Sequence, residues 1–138
     1  MISAASIYPA YVGLVKQNEA TEKLINSLML KYGISASVNN EFVKGHQWDY
    51  PNIWAPLQYI AYAACNNCGL EETAKIICKK YISLIDESYK NTGNLWEKYN
   101  GITGEPACQE YNAPVMLGWT AGVYLCLKQN ENYLSVFQ

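Results

Sequence analysis

Residues 47–56 read Gln-Trp-Asp-Tyr-Pro-Asn-Ile-Trp-Ala-Pro, and no other stretch of the chain says as much. Two indoles, a carboxylate, side-chain amides and two prolines fall close together. Flat indole faces fit the C–H faces of a sugar ring. Carboxylate and amide groups fit its hydroxyls, and proline fixes the backbone that carries them. Each residue also has a plainer reading. Trp48 and Trp54 could be core tryptophans. Asp49 is harder to place in a core, because carboxylates are rarely buried without a partner, but it could cap backbone N–H groups as readily as bind a hydroxyl. His46, directly before the motif, is assigned no role.

Outward from the motif the pattern is helical. Residues 55–68 are apolar almost all round, which predicts a helix buried on several sides and closed by Gly69. Residues 70–91 give the clearest amphipathic helix. Glu71 and Glu72 suit its first turn, Ala74, Ile77, Tyr81, Ile82, Leu84 and Ile85 form the buried stripe, and Gly93 follows its end. Residues 95–99 read as extended and lead into the turn Asn100-Gly101. A Gly-, Pro- and polar-rich loop over 100–118 follows, then an apolar helix over 119–129. Upstream, a short helix is expected over 10–16. A second is expected from an Asn18 cap through Leu24, Ile25, Leu28 and Met29 to Gly33. Residues 34–54 form a long loop, of a length more often functional than idle. The expected class is all-α. Helix hairpins with long loops gathered at one end fit a partial (α/α)6 toroid.

Composition narrows the function. At 138 residues the chain is one domain or part of a larger one, and 50% apolar content supports a packed core. Charged residues make up only 16% and the net charge is −2, so no basic stripe exists for nucleic acid. No membrane partner is indicated either, since no apolar stretch is long enough to span a bilayer. The five cysteines, with no signal peptide evident, lead to an expectation of reduced thiols in the cytoplasm. Cys65-Asn-Asn-Cys68 has metal-ligand spacing, but a zinc site needs a second pair, and His46 is the only histidine. The plainer reading is two small apolar residues at a helix end. No metal and no cofactor are expected.

A second set of residues lies downstream: Leu95-Trp96-Glu97-Lys98-Tyr99-Asn100, then Gln109-Glu110-Tyr111, then Gly118-Trp119-Thr120-Ala121-Gly122. With residues 47–56, these resemble the trehalase family of glycoside hydrolases in order and nearly in spacing. That family carries Gln-Trp-Asp-x-Pro-x-small-Trp-small-Pro, Glu-Lys-Tyr-Asp, a loop ending Gly-Glu-Tyr, and Gly-Trp-Thr-Asn-Gly. Ile53 departs from the first pattern, and Glu105-Pro106-Ala107-Cys108-Gln109 replaces the family's glycine run. The resemblance implies a toroid fold, with Glu97 as general base and Glu110 contacting substrate. It further implies that Gln47, Trp48, Asp49, Asn52, Trp54 and Trp119 line a site for a small carbohydrate, first of all α,α-trehalose.

An inverting glycosidase needs a carboxylic acid for the leaving oxygen and a carboxylate to activate water, roughly 6.5–9.5 Å away. The family's acid, an Asp in an upstream segment, and its substrate-gripping arginines have no counterpart here, since the chain contains no arginine. The resemblance therefore implies the carboxyl-terminal part of a catalytic domain, inactive alone. Its partner would be a complementary upstream polypeptide carrying the acid, or it would self-associate. Two other outcomes stay open: a non-catalytic sugar-binding or helical interaction fragment, and a related toroid glucosidase with another glucoside as substrate.

Overall fold

The computed structural model describes residues 2–16, 18–41, 45–115 and 118–136. A 3-10 turn (Ala4–Ile7) runs into the short helix α1 (Tyr8–Tyr11), followed by α2 (Asn18–Leu28). Strand β1 (Asn52–Trp54) leads without a break into α3 (Ala55–Asn67). Helix α4 (Glu71–Thr92), strand β2 (Lys98–Asn100) and α5 (Trp119–Val136) complete the order.

Helix α3 is the hub, in contact with α1, α2, α4 and α5. Its start is set by Trp54, which is extended, and by Pro56 in the first turn, where a missing N–H costs nothing. Leu57, Ile60, Ala61, Ala64 and Cys65 are all buried, as an apolar-all-round helix requires. So is Gln58, but its amide is fully used. Oε1 accepts the Ile34 N–H at 2.7 Å, while Nε2 donates to Ile34 O at 2.8 Å and Trp54 O at 3.0 Å. Gly33 makes this possible: a Cβ there would sit 2.4 Å from Gln58 Oε1, at a φ of +150°.

Helix α4 follows its sequence stripe, with Ala74, Ile77, Tyr81, Ile82, Leu84 and Ile85 buried. It ends at Gly93, whose φ of +68° is left-handed and whose N–H returns to Tyr89 O. The core has two parts. One gathers Ile7, Ile25, Leu28, Ile34, Ile60 and Ile77. The other gathers Ile53, Tyr81, Leu84, Ile85, Tyr99 and Leu127 around the two strands.

Several boundaries differ from expectation. The first helix lies earlier, over Tyr8–Tyr11 rather than 10–16. Helix α2 stops at Leu28, not Gly33. Lys80 Nζ donates to Leu30 O and Lys31 O, and the Tyr32 N–H goes to Gly101 O, so these backbone groups bond across the fold instead of along a helix. The expected Asn18 cap lies outside the described side chains. Helix α5 continues past residue 129 to Val136. Apolar periodicity fades after Leu127, but Lys128 and Gln129 are good helix formers and carry the helix on. The supposed loop 34–54 is anchored at Ser3↔Ser37 and Ser35↔Ile53, and it contains β1.

Candidate active site

The two informative segments meet as an antiparallel ribbon. Strands β1 and β2 pair in the register Asn52↔Asn100, Ile53↔Tyr99 and Trp54↔Lys98. Segment 114–115 lies along the residues just before β2: the Glu97 N–H donates to Pro114 O at 3.0 Å, and Trp96 bridges Val115. Glu97 is thus fixed at its backbone between the ribbon and the downstream loop. Its side chain is half-buried.

Tyr111 joins the two segments. Its hydroxyl lies 2.6 Å from Glu97 Oε2 and 3.0 Å from Gln47 Oε1. A phenol has one proton to give, and the shorter, charged contact takes it. With the Gln47 amide turned over, its Nε2 donates to the phenol oxygen. Burial, then the hydrogen bond to Glu97 and the negative fields of Glu97 and Glu110, push the Tyr111 phenol up to about 12. It therefore stays a donor. Lys98 Nζ sits over its ring, 3.4 Å from the centroid, and donates to Gln109 O at 3.2 Å. Lys98 is fully buried, and burial lowers its pKa against the opposing pull of Glu97 and Glu110.

Glu110 reaches the same loop from the other side. Oε1 lies 2.9 Å from His46 Nδ1, and Oε2 accepts the Gln47 N–H at 2.9 Å. The contact with His46, then the Gln47 N–H, lowers the Glu110 pKa. In return Glu110, then the field of Asp49, raises His46. Glu110 is also the one non-glycine with positive φ among the described residues, at +63°. Such a conformation costs a non-glycine residue roughly 1–2 kcal/mol and tends to mark working sites.

The tryptophans form one cluster. Trp48 stacks on Trp54 with centroids 4.1 Å apart and planes within 10°. Trp119, at the start of α5, meets Trp54 edge-on at 5.7 Å. Trp48 is 48% exposed and Trp119 38%, whereas Trp54 is 2% exposed. The Trp54 indole donates to Gln47 O at 3.0 Å. Asp49 and Asn52 are buried beside it. Asp49 Oδ2 accepts the His46 N–H, and Asn52 Nδ2 donates to His46 O and Gln47 O. Every residue expected at the site thus falls in one neighbourhood, in two layers. Glu97, Glu110, Gln47, Trp48 and Trp119 reach the surface layer. Asp49, Asn52 and Trp54 lie beneath and bond to the chain itself.

Sequence reasoning passed over three residues here. His46 was given no role but pairs with Glu110. Tyr111 and Lys98 sat inside quoted motifs without a function. The signal for Lys98 was its place between Glu97 and Tyr99, in a chain whose aromatics offer faces to a cation. Cys65 and Cys68 lie buried at the end of α3, and burial pushes the Cys65 thiol up to about 12, far from a reactive thiolate.

The sequence profile of the trehalase family matches residues 1–131. The chain belongs to the trehalase family. It is 33% identical over 130 residues to the periplasmic trehalase of Pseudomonas aeruginosa, covering 91% of this chain and 24% of that protein. Among solved structures it resembles neutral trehalase from Saccharomyces cerevisiae with a TM-score of 0.73 at 21% identity, over 93% of this chain and 23% of that one. An uncharacterised conserved protein from Thermus thermophilus gives a TM-score of 0.64 at 15% identity, over 91% and 29%. The fold of this trehalase-family chain is therefore all-α with one two-stranded ribbon, part of the (α/α)6 toroid. It spans about a quarter of the length of the curated relative. The expected cytoplasmic setting does not stand, because that relative is a periplasmic trehalase. An odd cysteine count was a poor guide to compartment.

Proposed function

We propose that this chain is the carboxyl-terminal portion of a trehalase-like catalytic domain and forms one wall of an inverting α-glucosidase site, with α,α-trehalose the first-choice substrate. Glu97 is the general base: it takes a proton from the water that attacks the anomeric carbon. A carboxylic acid on the opposite side gives its proton to the leaving glycosidic oxygen. Glu110 and Gln47 hold sugar hydroxyls, and Trp48 and Trp119 offer indole surface to the ring. Asp49, Asn52 and Trp54 act from beneath, by holding the loop in shape. The observation that supports this reading most is the ribbon register. Trp54↔Lys98 pairing, with the Tyr111 contacts, puts Glu97 beside the tryptophan loop although 49 and 97 are far apart in sequence.

The acid has no counterpart among these 138 residues, so on this reading it comes from a segment outside them. Self-association does not serve as well, because a second copy brings no arginine for the clamp that the family uses. The test is an assay of glucose release with parallel trehalose titration. The chain alone binds trehalose without turnover, and adding a polypeptide that carries the acid segment produces turnover that Glu97→Gln abolishes. Robust hydrolysis by the chain alone overturns the split-site reading. Turnover in the mixture that survives Glu97→Gln overturns the assignment of the base. A competition series with other α-glucosides then ranks the substrates.

A further inference from the structure

A general base on an extended segment has a problem of aim. The Glu97 carboxylate can swing about its side-chain torsions, and only a narrow range of angles presents an oxygen lone pair to the attacking water. The backbone bond from the Glu97 N–H to Pro114 O fixes where the residue starts, not where its carboxylate points. Among the described residues, the single side-chain hydrogen bond to that carboxylate comes from the Tyr111 hydroxyl to Oε2, at 2.6 Å.

Tyr111 is itself held from three directions. Lys98 Nζ presses on its ring face at 3.4 Å, the Gln47 amide meets its oxygen at 3.0 Å, and its backbone follows the left-handed turn at Glu110. Lys98 is buried between this ring and Trp54, whose centroid is 5.5 Å from Nζ, and it donates to Gln109 O just before the turn. A buried ammonium with two aromatic faces and one carbonyl around it is costly to place unless it fixes something.

We propose that Tyr111, clamped by Lys98, is the positioning residue for Glu97: it occupies Oε2 and leaves Oε1 to receive the proton of the water. This rests on the reading of Glu97 as the base. The phenol gives up no proton in the reaction, because its hydroxyl is stabilised as a donor by burial and by the carboxylate it serves. Gln47 bonding to the same oxygen also makes Tyr111 the link between the base and the tryptophan loop.

The test uses the intact chain with tyrosine labelled at the ring carbon bearing oxygen, read by NMR at pH 10.5, and titrations with an iminosugar, a glucose-like ring with a protonated nitrogen. In the unchanged chain Tyr111 remains a phenol at that pH while a freely solvated tyrosine ionises, and in Glu97→Gln a larger share of it ionises, with burial and Glu110 still holding it up. Tyr111→Phe keeps the fold, by circular dichroism, and weakens iminosugar binding about tenfold, the scale of one hydrogen bond to a charged group. Lys98→Arg retains more of the affinity than Lys98→Met. Tyr111 ionising alongside the exposed tyrosines in the unchanged chain, or Tyr111→Phe binding as tightly as the unchanged chain, overturns the positioning role. If neither iminosugar nor trehalose binds the unchanged chain, the glycosidase reading falls and the positioning role with it, whatever Tyr111 does at high pH.

Discussion

The site's two halves are held by different means. The tryptophan loop is bolted from inside: Trp54, Asp49 and Asn52 are buried, and their polar atoms are bonded to the backbone of residues 46–47. The segment around residues 109–111 has one buried hold, Lys98, which donates to Gln109 O and lies over the Tyr111 ring, and otherwise relies on side-chain contacts at or near the surface: Glu110 to His46, Glu110 to the Gln47 N–H, and Tyr111 to Glu97 and Gln47. Buried bonds in a low-dielectric setting hold shape whatever the solution conditions, whereas exposed charged contacts depend on pH and salt. The first half is thus a scaffold, and the second is the adjustable part, which on the proposed function would carry one substrate contact and the tether of the base.

Substitutions can break that contrast. The largest effect belongs to Trp54→Ala, which empties a fully buried indole site and should cost about 3–5 kcal/mol in denaturant unfolding. Trp48→Ala, half-exposed on the same stack, should cost well under half as much. Equal losses would show that the two layers are not distinct. Gly33→Ala comes next. A methyl there meets Gln58 Oε1 at 2.4 Å in a left-handed backbone, so a loss of about 1–3 kcal/mol is expected, with a lowered melting temperature as the readout. Asp49→Ala removes the acceptor of the His46 N–H and should cost about 1 kcal/mol, again by unfolding.

The smallest effect is a pH response. His46 is raised above 6.5, chiefly by its hydrogen bond to Glu110, so its part of the contact is complete below pH 6.5 and is lost as pH rises through the raised value. Glu110 is lowered below 4.5, chiefly by His46, so its part is complete above pH 4.5 and is lost as pH falls through the lowered value. The contact should be whole between those limits. Amide exchange at Gln47, corrected for its intrinsic pH dependence, should speed up on the alkaline side, and His46→Ala should remove the response. A response that persists in His46→Ala contradicts this account.

Much of this was legible in the sequence. Helices α3 and α4 follow from an apolar-all-round run and a clean stripe ending at Gly93, since burial dictates both patterns. The residues the motifs single out as candidates all fall in one neighbourhood. The ribbon was legible only in its second strand, since residues 95–99 read as extended; β1 and the pairing were not. Asn52-Ile53-Trp54 is too short for a period-two pattern, it is flanked by prolines, and its partner lies more than forty residues away, so only tertiary pairing reveals it. The layering was hidden for a related reason: residue type says that Trp48 and Trp54 can both face a sugar, while burial decides that only Trp48 reaches the surface. His46 was overlooked because its partner, Glu110, is remote in sequence.

The most direct test of the central claim, that Glu97, Glu110 and the tryptophan loop form one sugar-binding wall, is an NMR titration of the chain with α,α-trehalose. The account predicts saturable shifts of the Trp48 and Trp119 indole N–H signals and of the Gln47 backbone amide, with residues of α2 unmoved and the shifts strongly reduced in Glu110→Ala. No shift at these groups, or shifts confined to the far side of the helices, would contradict it.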